Sequence, residues 1–140
     1  MPILNFTTAV PVSRSVAEVT KLLVKGGATS ILSRYDDDGA ITGLSFTVAT
    51  DLGPRAFQLP VNADSVTQAL VRDPRVPRRS KTSAQGERVA WRILKDWIEA
   101  QLAIIEAGMV KLDEVMLPYM VDNGVTVYEL YRTQAPAIEG

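Results

Sequence analysis

TSAQGERVAWRILKDWIEAQLAIIEAGM, residues 82–109, is the stretch whose reading decides the fold. At helical spacing Trp91, Leu94, Ile98, Leu102, Ile105 and Met109 recur at intervals of three and four, and Ala90, Ile93, Trp97 and Ile104 fill the adjoining stripe. Arg88, Arg92, Lys95, Glu99 and Glu106 follow the same spacing on the opposite side, which should be wet. There Lys95 with Glu99 and Arg92 with Asp96 stand four apart, the spacing at which helix charges pair. Thr82 followed three residues on by Gln85 has the form of a capping box, and Gly108 sits where a left-handed C-cap belongs. One long helix is predicted, with both tryptophans in the core. Its apolar face is too wide for one edge of a sheet, so it is expected to pack on a sheet and also to meet another helix or another subunit.

Working back from this helix, residues 74–81 (PRVPRRSK) read as an exposed, extended connection with almost nothing to bury. Asn62 or Asp64 caps a short helix through Val66, Ala69, Leu70 and Val71 that ends by Asp73, before Pro74. Before it come three strand-like runs, 28–35, 41–50 and 55–61, separated by the turns Asp36-Asp37-Asp38-Gly39 and Asp51-Leu52-Gly53-Pro54. Phe57, Leu59 and Val61 face one way in the third run, and Pro60 marks a strand end or sheet edge. Ser15 and Glu18 suggest a second capping box, opening a helix lined by Val16, Val19, Leu22 and Leu23 and stopped by Gly26 and Gly27. Residues 2–8 read as an edge strand. After the long helix, Asp113 is expected to cap a brief turn of helix interrupted by Pro118. Asn123-Gly124 then turns the chain into a last strand, VTVYELYR, and residues 133–140 are expected to fray. The reading is a single α+β domain over 1–132: an antiparallel three-stranded meander, with room for added edge strands, packed on a long C-terminal helix and preceded by a short N-terminal one.

A chain of 140 residues is long enough for a real hydrophobic core, and 46 % hydrophobic with 22 % charged residues is the balance of an ordinary globular domain. There is neither cysteine nor histidine. Disulfides, thiolate chemistry, the usual zinc ligand sets and imidazole-based triads are thereby excluded. No apolar run reaches bilayer length and the start has no basic region followed by an apolar one, so a cytoplasmic protein without membrane contact is expected.

The net charge of −1 conceals an asymmetry. Residues 72–95 carry eight basic side chains against Asp73 and Glu87, a surplus of +6, while residues 96–140 carry eight acids against Lys111 and Arg132, a surplus of −6. Arg75, Arg78, Arg79, Lys81, Arg88 and Arg92 form the candidate nucleic-acid-binding set. The loop that bears several of them feeds the amide donors and positive dipole end of the long helix, while Arg88 and Arg92 continue the charge along it. The plainer reading is a solvated charged face, or one half of a head-to-tail contact with an acidic neighbour. Tyr35, Tyr128 and Tyr131 are candidate base-stacking rings, with packing as their commoner use.

Asp36, Asp37 and Asp38 raise a magnesium or calcium site, but adjacent aspartates at a hairpin tip diverge and the later glutamate of a calcium loop is missing, so a plain turn is favoured. Gly26 and Gly27 lack the lysine and hydroxyl of a phosphate loop. Glu99, Glu106, Asp113 and Glu114 could supply paired carboxylates, yet no spacing makes them converge and no nucleophile stands beside a base. No catalytic residue, metal or cofactor is assigned.

The order helix, three antiparallel strands, helix over residues 15–109 resembles that of double-stranded-RNA-binding domains and, with a longer meander, of the single-strand annealing proteins of phages and eukaryotic recombination. The segment ERVAWRILKDWIEAQLAIIEAGMVKLDEVMLPYM, residues 87–120, also resembles small phage and prophage proteins. These resemblances imply a non-enzymatic, homo-oligomeric factor in a bacterial cytoplasm that tracks a strand's backbone in a positive groove. The alternative is a phage structural or interaction module that self-associates through the long helix.

Overall fold

Leu44, Phe46 and Val48 are separated by Ser45 and Thr47, so an extended backbone puts the large side chains on one face. The computed structural model, which describes residues 2–138, shows β1 (Ala28–Tyr35), β2 (Ile41–Thr50) and β3 (Gly53–Gln58) as an antiparallel meander. Leu44, Phe46, Val48 and Phe57 are buried, and Phe46 lies directly opposite Phe57 with ring centroids 5.4 Å apart.

The sheet is larger than the predicted meander. β4 (Met120–Asp122) pairs with β3 and β5 (Val125–Thr126) with β4, giving five antiparallel strands in sequence order. Asn123 and Gly124, both at positive φ, make the tight turn between the last two. The predicted strand over 125–132 is a correction: after two strand residues the chain becomes α5 (Val127–Ile138). A capping box decides this. The Glu129 amide donates to Thr126 Oγ1 at 3.2 Å and the Thr126 amide donates to Glu129 Oε1 at 3.1 Å. Of the segment expected to fray, residues 133–138 continue α5, and 139–140 lie outside the described residues.

The remaining helices are α1 (Val12–Lys25), α2 (Ala63–Arg72), α3 (Ser83–Glu106) and the single turn α4 (Leu112–Val115). The long helix α3 is therefore central in the chain and not C-terminal. Its end is a Schellman motif, with the Gly108 amide on Ile105 O at 3.0 Å and the Met109 amide on Ile104 O at 3.1 Å. α1 starts three residues ahead of the predicted cap, because the Pro11 carbonyl already accepts from the Arg14 and Ser15 amides. Ser15 is interior and fully buried. Asn62 does cap α2, accepting from the Ser65 amide at 3.1 Å, whereas α4 is opened by Glu114, which accepts from the Lys111 amide at 3.2 Å, and not by Asp113.

The chain divides into two compact units: residues through Leu23 with Val61–Ala100, and Val24–Pro60 with residues from Gln101 onward. The second unit contains the sheet. In the first, Leu70, Val76 and Val89 form a buried cluster against which Ile3, Phe6, Val66 and Ile93 pack. The predicted edge strand at 2–8 is absent; two turns replace it, with the Phe6 amide on Ile3 O at 3.2 Å and the Thr8 amide on Asn5 O at 2.9 Å. Alternation in a strand would send Ile3 and Phe6 to opposite faces, while a turn lets both reach the same cluster. Val76, in the loop expected to bury almost nothing, is 4 % exposed. The expected wet side of α3 is also corrected: the Arg92 and Lys95 side chains are only 16 % and 17 % exposed.

Candidate nucleic-acid interface

Gln85, in the first turn of α3, organises the basic region. Its backbone amide forms the Thr82 half of the predicted box, donating to Thr82 Oγ1 at 3.1 Å. Its side chain does not complete the box. Instead Nε2 donates to the carbonyls of Phe6 at 2.8 Å and Thr8 at 3.0 Å, and Oε1 accepts from Arg88 Nε at 2.9 Å and Nη2 at 2.7 Å. A buried glutamine thus ties the N-terminal segment to α3 and fixes the Arg88 guanidinium.

Arg78 and Arg79 lie on a single 3-10 turn, Arg78–Ser80, closed by the Ser80 amide on Pro77 O at 2.9 Å and the Lys81 amide on Arg78 O at 3.1 Å. Both arginines are exposed. Among the described residues neither they, nor Lys81, nor Arg88 has a carboxylate partner.

The other two candidates are neutralised within the chain. Arg75 donates through Nε and Nη2 to the two oxygens of Asp73, each at 2.9 Å. That guanidinium, helped by the Arg75 backbone amide, holds the Asp73 carboxyl down to about 2, and the Asp73 carboxylate raises Arg75 in turn. Arg92 forms an ion pair with Glu18 at 2.7 Å and donates to the Ser15 hydroxyl at 3.3 Å, so it does not pair with Asp96 as its spacing suggested. The Arg92 guanidinium beside it keeps the Glu18 carboxyl below its ordinary range against the opposing effect of desolvation. Lys95 does pair with Glu99, at 2.7 Å. Asp73 and Glu18 are the residues that sequence reasoning missed. Asp-Pro-Arg carried a signal for the first, since aspartate commonly bonds the backbone two residues on; the second, 74 positions from Arg92, carried none.

A cleft of about 440 Å³ opens at this place, lined among others by Thr7, Thr8, Arg79, Ser80 and Arg88. A second cleft, of about 630 Å³, lies in the other unit beside Thr50, Asp51, Met109 and Lys111. Asp51 and Lys111 meet there at 2.6 Å, and their hydrogen bond lowers the carboxyl and raises the ammonium.

Tyr35, Tyr128 and Tyr131 are each more than half exposed and all belong to the second unit, the last two with ring centroids 6.4 Å apart. Asp36 is spent on its turn, with Oδ1 accepting from the amides of Asp38 and Ala40, each at 2.9 Å. Among the described residues no group of three or more acids is placed to hold a metal ion, and no helix is long and apolar enough to cross a membrane.

No family model, no curated protein and no solved structure matches this chain.

Proposed function

We propose that the chain is a non-enzymatic nucleic-acid-binding protein that holds a strand by its phosphates, through Arg78, Arg79, Lys81 and Arg88. One observation carries the reading: these four cations, gathered on the 3-10 turn and the opening of α3, lack carboxylate partners among the described residues, while their neighbours Arg75 and Arg92 have them. Guanidinium groups left unpaired at a surface suit the bidentate geometry of phosphate oxygens. The resemblance in element order to annealing proteins supports the same reading, and with it a homo-oligomeric, phage-related, cytoplasmic factor. Nothing in such a role requires a catalytic group.

The test is titration of a labelled oligonucleotide at about 50 and 200 mM salt, since releasing counterions from phosphates makes affinity fall steeply with salt. Replacing Arg78 and Arg79 by glutamine should weaken binding and flatten that dependence. Binding that ignores both changes would remove the reading.

A second reading rests on a different observation. Met109, Leu117, Tyr128 and Tyr131 are 68 %, 46 %, 53 % and 52 % exposed in the acidic part of the chain. In it, the basic turn of one copy meets the acidic, partly apolar surface of the next. The double replacement would then change oligomer size by sizing chromatography and leave oligonucleotide binding indifferent.

A further inference from the structure

The cleft at the start of α3 carries charge of one sign alone. Arg79 and Arg88 line it and no carboxylate does, whereas the cleft in the second unit mixes both signs, with Asp51, Asp113 and Glu114 beside Lys111. Two guanidinium groups facing one partly enclosed space repel each other unless an anion lies between them. Arg88 is also aimed. Nε and one Nη2 hydrogen are taken by Gln85 Oε1, which leaves Nη1 and the outer Nη2 hydrogen side by side as the remaining donors. That pair matches two oxygens of a tetrahedral anion. Thr8 adds an uncharged donor: its Oγ1 accepts from the Val10 amide at 3.2 Å, so its own hydrogen is left for another partner. Thr7 and Ser80 bring further hydroxyls to the same walls.

We infer that this cleft is a binding site for one phosphate group, held between Arg79 and Arg88 with the hydroxyls of Thr7, Thr8 and Ser80 around it. Two guanidinium groups without a counter-charge suit a phosphate better than a carboxylate, because its tetrahedral oxygens can accept from both forks from different directions, whereas the two oxygens of a carboxylate lie in one plane. The inference deepens the nucleic-acid reading and rests on it only for the phosphate's source, a strand rather than a free ion or nucleotide.

The experiment is thermal melting of the full chain as inorganic phosphate replaces chloride at constant ionic strength. Phosphate stabilises proteins generally through exclusion from their surfaces, so the informative quantity is the difference between variants. The wild-type midpoint should climb and then saturate, as it does when a ligand binds the folded form alone. Arg79→Gln and Arg88→Gln should lose the saturable part, and Lys21→Gln, which removes an exposed cation from α1, should keep it. Arg88→Lys, retaining the charge without the fork, should raise half-saturation roughly tenfold. Each variant is referred to its own midpoint in chloride, so one that is merely less stable still reports. A phosphate response in Arg88→Gln equal to the wild type's overturns the site. For the source, an oligonucleotide without terminal phosphates and a nucleoside monophosphate are titrated in parallel. Saturation by free phosphate with no oligonucleotide binding keeps the site and sinks the proposed function, while oligonucleotide binding with no Arg88-dependent phosphate response does the reverse.

Discussion

Gly86 is where the absence of a side chain decides how closely two helices approach. A Cβ there would lie 1.8 Å from Thr67 Oγ1 and 3.1 Å from Thr67 Cα. A rotamer change relieves the first contact, but the second is backbone and requires α2 to move. Gly86→Ala should therefore destabilise by about 1–3 kcal/mol despite alanine's higher helix propensity. Combining it with Thr67→Ala should recover part of the loss, so a double-mutant cycle of melting midpoints that proved strictly additive would sink the account. Asp73 gives a prediction in pH. Its carboxyl, ordinarily near 3.8, is held at about 2 by the Arg75 guanidinium, so as pH falls the unfolded chain takes up this proton first. The pair's contribution is complete above about pH 4 and is lost as pH falls through about 2. The gap in urea midpoint between wild type and Asp73→Asn should thus narrow between about pH 4 and pH 2. A constant gap would show that the salt bridge contributes nothing.

At the scale of elements, what was legible depended on how far apart the deciding residues stand. The first two strands match their alternation and turn residues, and Asn62 and Gly108 end their helices as local chemistry dictates. The failures have two causes. Some signals were present and outweighed: Thr126-Val-Tyr-Glu129 is a capping box as good as Thr82-Gln85, but valine and tyrosine in the same stretch favoured a strand reading. Others were not local at all. Gln85 reaches carbonyls 77 and 79 positions away, and Glu18 reaches Arg92, so neither the redirected box nor the neutralised arginine had a trace in nearby sequence. In the candidate site, the basic turn was legible, while the cleft, walled on one side by Thr7, Thr8, Ala9 and Pro11, was not. The cap on α5 is testable. Thr126→Ala should cost about 1 kcal/mol and speed amide exchange in the first turns of α5 while leaving β1 to β3 protected. Unchanged exchange at residues 127–131 would mean that the box does not set the start of the helix.

For the whole molecule, a net charge of −1 says less than the division of its cations into two kinds. Arg75 and Arg92 each meet a carboxylate at less than 3 Å, whereas Arg78, Arg79, Lys81 and Arg88 meet none among the described residues. The kinds should respond oppositely. Removing Arg92, only 16 % exposed, leaves Glu18 with the longer 3.5 Å contact to Arg14, so Arg92→Gln should lower the melting midpoint, and Arg75→Gln should do so more weakly because Arg75 is 55 % exposed and Asp73 keeps its bond from the backbone amide of residue 75. Neither charge is available to displace counterions from a strand, so the salt slope of oligonucleotide binding should stay the same. Arg78→Gln and Lys81→Gln should leave the midpoint nearly unmoved and each reduce the slope by about 0.7 on single-stranded nucleic acid, the share of one neutralised phosphate. Plotting slope change against midpoint change for these variants should therefore give two separate groups. If Arg75→Gln and Arg92→Gln reduce the slope as much as Arg78→Gln does, the internal ion pairs open on binding, and the contact surface extends over all six of the basic residues first named from the sequence.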